Sequence, residues 1–178
     1  MQRGIFSISN GYLRLILVFM IAMFELSACT PKEINLSFET IEKKSGLSTS
    51  GGYDSGEPFL VVIAQLDEVS DLDGWITEDA RLQLQTLDYG TYFVVGVFQG
   101  RKGTDGYEIG IERVVRQRDE ITFFVQTHEP RPDEKKNDTV TSPYHLVRVE
   151  KMEVVDSDLT FSAIVDGNVI ATTSHYIP

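Results

Sequence analysis

The chain has 178 residues and a formal net charge of −11. One folded unit is expected, since about 150 residues is typical of a domain, and 42% hydrophobic with 24% charged residues is a globular composition, not a disordered one. The acidic balance excludes functions that need a basic face against phosphates, so no nucleic-acid partner is expected.

Arg3 and Arg14 precede ten uncharged apolar residues, Leu15 to Phe24. Such a run suits the core of a secretion signal and falls well short of the ~20 residues that cross a bilayer. Leu26-Ser27-Ala28-Cys29 follows, with a small residue directly before the only cysteine. This is similar to a bacterial lipoprotein signal, in which the peptide is cut before the cysteine and that cysteine is lipidated. Glu25 departs from the pattern, and the alternative is an ordinary signal peptide. The reading makes residues 1–28 the signal, 29–35 a tether and 36–178 the domain. Cleavage removes Arg3, Arg14 and Glu25, which leaves 14 basic and 26 acidic residues and a net charge of −12. With Cys29 lipidated no cysteine remains for a disulfide, so the fold rests on its core. Several acyl chains on one residue give durable attachment, where a single chain gives only marginal binding. The expected location is the bacterial cell envelope. Thr30 in place of an aspartate after the cysteine favours the outer membrane of a cell that has one.

Ile34, Leu36, Phe38 and Ile41 follow a mostly period-two pattern that predicts a first strand over 34–41. Residues 45–58 are rich in Ser and Gly and predict a loop. Phe59–Gln65 predicts a short buried strand. Between Asp67 and Leu87 the spacing turns helical, with Thr77 as N-cap of EDARLQLQ and Glu78 and Asp79 in its first turn. Thr91–Phe98 is aromatic and β-branched, as strands prefer. Tyr107, Ile109 and Ile111 share a face until the apolar phase shifts at Val114, which predicts a bulge. Ile121, Phe123 and Val125 share another face. Glu129–Tyr144 is a long polar connection with three prolines. Val147 and Val149 share a face in the strand that follows. Leu159, Phe161, Ala163 and Val165 then alternate into Asp166-Gly167, a turn pair that predicts a hairpin.

Seven or eight short strands with one or two short helices predict a mainly β or α+β fold. It is a single compact domain of mostly antiparallel strands, a β-sandwich being one form, because the late connections are too short for crossover helices.

The usual catalytic constellations are missing from this pattern. Nucleophilic catalysis needs a Ser or Cys beside a base. Cys29 is consumed by lipid, and Gly46 to Ser50 lacks the closing glycine of the G-x-S-x-G elbow. His128, His145 and His175 lack helical metal-site spacing and are expected as exposed strand or loop residues. Ser70–Gly74 resembles part of a calcium loop. With Gly74 in sixth place, however, Val69 and Ala80 occupy the first and last positions, and neither supplies a side-chain oxygen. Asn137-Asp138-Thr139 is a glycosylation sequon only in a eukaryotic secretory route, which conflicts with the lipoprotein signal. No catalytic residue, metal or cofactor is expected, and no enzymatic activity.

One stretch stands out. Gln99–Ile111 holds four glycines and two basic residues in an acidic chain. Glycines at 100, 103 and 106 supply φ > 0 for a turn. Around it the order is Asp88-Tyr89, an apolar strand ending at Gly100, then Thr104-x-Gly106-Tyr107, alternating Ile, Pro130-x-Pro132, and Ser142-Pro143-Tyr144 opening a Val-rich strand. This order, over about 88–150, resembles the C-terminal domain family of the protease complex subunit PrcB. The resemblance implies a lipoprotein that associates with a secreted or surface protease and has no protease activity of its own. It points to Arg101, Lys102, Thr104, Asp105, Gly106, Tyr107, Pro143 and Tyr144 as candidate protein-binding residues. The sequence departs from the family at Asp105, where a glycine is usual. Asp tolerates left-handed backbone angles better than most residues, so the turn is expected to survive with Asp105 in that geometry. The same Thr-x-Gly-Tyr turn is similar to the protease-binding loop of chagasin-type cysteine protease inhibitors. That likeness implies a second function, direct inhibition of a protease by residues 101–107.

Overall fold

The computed structural model describes residues 32–45, 53–151, 154 and 156–178. The signal at 1–28, Cys29 and Gly46–Ser50 lie outside them. The strands in chain order are β1 (Ile34–Leu36), β2 (Phe38–Lys44), β3 (Phe59–Ile63), β4 (Tyr92–Phe98), β5 (Glu108–Gln117), β6 (Glu120–His128), β7 (Tyr144–Glu150), β8 (Ser157–Val165) and β9 (Asn168–Ile177). Between β3 and β4 come a 3-10 helix (Leu66–Leu72) and an α-helix, α1 (Glu78–Gln85). Two sheets form, in the orders β1-β5-β6-β8-β9 and β2-β7-β4-β3. All neighbouring pairs are antiparallel except β6 with β8. That pair is parallel because β7, which lies between them in sequence, belongs to the other sheet. A strand serves as the crossover where a helix normally would.

The layering explains the sequence patterns. Strands of the five-stranded sheet bury one face, so Ile121, Phe123 and Val125 are buried while Thr122, Phe124 and Gln126 are not. The four-stranded sheet lies in the middle and is covered on both faces. Its β4 is therefore a continuous apolar run, buried from Phe93 to Phe98. One core fills the space between the sheets, with Phe93 and Phe123 packed on Phe161 at ring separations of 6.0 and 6.4 Å. A second core lies under the helices, where Ile63, Leu72, Ala80, Leu84, Phe98 and Tyr144 meet. The close approach there requires Gly96, since a Cβ would sit 2.7 Å from Leu146 Cδ2.

The predicted cap of α1 forms, and a second local tether, not predicted, holds the 3-10 helix. The Thr77 hydroxyl accepts from the Ala80 amide at 3.2 Å, capping α1. Glu68 Oε2 accepts from the amides of Ala64 and Gln65 and tethers the 3-10 helix to the end of β3. The helical stretch predicted over 67–87 is broken at Gly74, whose φ is +80°. The bulge predicted near Val114 is present as a register shift between Ile111 and Arg113. Asp166 and Gly167 both take positive φ and close the final hairpin. The first predicted strand divides at Ser37: β1 joins one sheet and β2 the other, which makes nine strands among the described residues.

The register defines two poles. Ile34 stands opposite Arg116, so the start of the domain shares one end with the β5–β6 turn. Phe59, Phe98, Tyr144 and Lys44 align at the other end of their sheet. Glu108 faces His128 at that same end of the first sheet. The β2–β3, β4–β5, β6–β7 and β8–β9 connections therefore leave and enter at one pole.

Candidate functional site

The loop pole is built from three segments that hold one another. Residues 53–57 pass over Gly100, where φ is +81° and a Cβ would lie 2.7 Å from the Gly56 carbonyl oxygen. The Arg101 amide donates to the Ser55 carbonyl at 2.7 Å. Lys102 and Thr141 exchange both backbone hydrogen bonds, at 2.8 and 3.0 Å. The Thr141 hydroxyl donates to the Thr104 carbonyl at 3.0 Å. Gly106, at φ +90°, lies under Pro130, whose Cβ would be 3.0 Å from an added Cβ. Behind the tip, the Gln99 amide donates to the Pro143 carbonyl at 2.8 Å, and the Ser142 hydroxyl donates to the Tyr53 carbonyl at 2.9 Å.

Asp105 is the centre of this clasp. Its Oδ1 accepts from the Asn137 amide at 2.9 Å and its Oδ2 from Asn137 Nδ2 at 2.6 Å. Its own amide donates to the Asn137 carbonyl at 3.3 Å. The Asn137 amide, then its side chain, holds the Asp105 carboxyl below the ordinary carboxylate range. The expectation of left-handed geometry at Asp105 is corrected: in this loop only Gly100 and Gly106 have positive φ. Asp105 serves this turn through its carboxylate, not through a left-handed backbone.

The candidate residues fall into three groups. Arg101 and Gly106 are exposed, and Arg101 Nη1 reaches Asp54 Oδ1 at 3.1 Å across open surface. Lys102, Thr104, Asp105 and Tyr107 are half-buried, with Lys102 Nζ 5.4 Å from the Tyr107 ring centre. Pro143 and Tyr144 are buried and support the pole from behind. The Tyr144 hydroxyl donates to Glu42 and accepts from the Thr77 amide, linking β7, β2 and α1. Burial, then Glu42, raises its pKa. Gly103 is exposed at the tip, and a Cβ there would meet nothing within 4 Å.

Asp54 and Thr141 carry no signal of their own in the sequence, Pro130 reads there only as part of a Pro-x-Pro loop and Asn137 only as a sequon, yet all four hold the turn. The available signal was the length of 129–144, since long ordered loops inside compact domains are commonly functional. Which loop it would grip is a tertiary fact.

His145 is a correction. It was expected to be exposed and is 4% exposed. Its Nδ1 accepts from the Ile111 amide, the position where the bulge frees a donor from the ladder, at 2.8 Å. Nε2 therefore carries the proton, and it lies 2.8 Å from the Thr40 hydroxyl. Burial, then the charge of Lys43, lowers its pKa to about 4. His145 thus joins the two sheets as a neutral side chain. His175 Nε2 pairs with Glu68 at 3.2 Å. Among the described residues no three His, Cys, Asp or Glu side chains converge as metal ligands.

A shallow groove of about 350 Å³ runs beside α1, lined in part by Glu39, Ile41, Asp88, Tyr92 and Arg148. Its charged groups are already engaged. Arg148 bonds Glu39 and lies 4.9 Å from the Tyr92 ring centre. Asp88 accepts from Thr91 and Gly90, which lower its pKa. Asp88, with its pKa lowered, is not held as a proton donor near neutral pH.

Fold and site together define a class: a two-sheet β domain that displays a hydrogen-bonded loop pole. Residues 93–150 match the family model described as PrcB C-terminal. This PrcB-like segment runs from β4 to the end of β7 and contains the whole Asp105–Asn137 clasp. Comparison with curated proteins and with solved structures gives no match.

Proposed function

We propose that this protein is a non-enzymatic, membrane-anchored accessory lipoprotein that binds a partner protein, a secreted or surface protease, through its loop pole. The observation that carries the reading is that the family match encloses a turn pre-organised by another loop. Ordering a loop beforehand removes an entropy cost that binding would otherwise meet, and loops on a rigid sheet are where binding residues concentrate. The contacts fall to Arg101, Lys102, Thr104, Asp105, Gly106 and Tyr107; Pro143 and Tyr144 act from behind. Cys29, cleaved free at its amino side and lipidated, holds the domain at the cell envelope, with the outer membrane preferred.

The test is capture from solubilised envelopes with the mature protein and with an Arg101→Glu/Lys102→Glu variant. A partner retained by the first and lost by the second is the expected result; equal capture by both contradicts it. Loss of fatty-acid labelling in Cys29→Ser tests the anchor, and unchanged labelling would defeat it. The locked Thr104–Tyr107 turn also suits a second reading, direct inhibition of a protease. Titration against papain-like and subtilisin-like proteases separates the two, because an accessory subunit leaves those enzymes active.

A further inference from the structure

We propose that the loop pole is the membrane-distal end of the anchored protein, and that it receives a protein approaching from the aqueous side, not one embedded in the bilayer. The proposal rests on the reading that Cys29 carries the lipid.

The described domain begins at the pole opposite the loops, because Ile34 pairs with Arg116 near the β5–β6 turn. From Arg116 back to Glu108, where the 99–107 loop joins β5, the strand rises roughly 25 Å at about 3.3 Å per residue. The loops stand beyond Glu108. The five residues that join Cys29 to Ile34 span at most roughly 18 Å even when fully extended. A lipid on Cys29 therefore cannot be brought level with the loop pole. The other three loop-pole connections share its end of the sheets, so a partner that used any of them would meet the same pole.

Surface chemistry points the same way. The exposed large apolar side chains among the described residues are Leu66, Leu82, Val169 and Tyr176; Val169 adjoins the β8–β9 turn at the loop pole, and none lies in the clasped loops 53–57, 99–107 or 129–143. Those loops instead expose charges of both signs, such as Arg101, Arg131 and Lys135 beside Asp54, Asp133 and Glu134. A bilayer-inserting surface would bury apolar side chains in the acyl boundary. A polar, clasped tip fits the hydrated surface of a folded protein.

The experiment uses the full-length lipidated protein in vesicles. Its only natural cysteine is blocked by lipid, so one introduced cysteine can be labelled alone. Gly103→Cys marks the loop pole, where a side chain is unobstructed. Asp119→Cys marks the β5–β6 turn, where the native side chain is exposed. Each carries a fluorophore, and the vesicles carry a headgroup-linked quencher. Quenching several-fold greater at 119 than at 103, abolished at both by Cys29→Ser, is the expected result. Equal quenching, or more at 103, means the domain lies flat or inverted and overturns the proposal. Quenching at neither site with Cys29 intact means the anchor itself is absent, a distinct failure that removes the proposal with it.

Discussion

The helical layer covers one face of the four-stranded sheet and the loop pole caps one end of both sheets, and the two are held by different forces. The helical layer is fixed by burial: Leu72, Ala80 and Leu84 are fully buried against Ile63 and Phe98. The loop pole is fixed by hydrogen bonds between segments, chiefly Asp105–Asn137 and Lys102–Thr141, with little apolar burial at the tip. Burial gives stability, because each buried aliphatic side chain contributes about 1.5–3 kcal/mol. Polar clasps contribute less per contact but set a geometry. A region held in the second way can present a defined surface without owning the stability of the domain.

Perturbing each region separately shows whether that division holds. Leu84→Ala in the helical layer should destabilise the domain by about 2–5 kcal/mol in urea unfolding, since it removes buried volume. A loss near zero would mean the layer is dispensable.

Acid should act through the seam between the sheets. Below about pH 6.5, the ordinary value, the unfolded chain protonates His145 while the folded chain, with its pKa near 4, does not. Stability should therefore fall as pH drops from 6.5 toward 4 and level off below that, by about 3 kcal/mol from this group. His145→Gln should flatten that part of the profile; an unchanged slope would place the effect elsewhere.

Gly100→Ala should cost about 1–3 kcal/mol, because its positive φ disfavours a side chain and the Gly56 carbonyl blocks the Cβ. Asp105→Ala should change the thermal midpoint least. It should nonetheless speed amide exchange at Lys102, Asp105 and Asn137, with protection in α1 retained. Exchange rising equally in α1 would show that the two regions unfold as one.

Much of the fold was legible in the sequence where physics is local. Thr77 caps a helix, Asp166-Gly167 closes a hairpin and the phase shift at Val114 marks a bulge, and each depends on neighbours within a few residues. The split of Ile34–Ile41 between two sheets was not legible, because alternation records that a strand has an inner face but not which sheet owns it. His145 was misjudged for the same reason: its two partners, Thr40 and Ile111, come from strands distant in sequence. At the candidate site, Thr104, Gly106 and Tyr107 were readable as a turn. The role of Asp105 was not, since its meaning lies in Asn137, 32 residues away.

The comparison between the two regions is tested most directly by placing a photo-crosslinking residue in the intact cell envelope, at Gly103 in one strain and at Leu82 on the exposed face of α1 in another. The account predicts a protein adduct from position 103 that disappears with Arg101→Glu/Lys102→Glu, and none from position 82. An adduct from position 82 with none from 103 would contradict it.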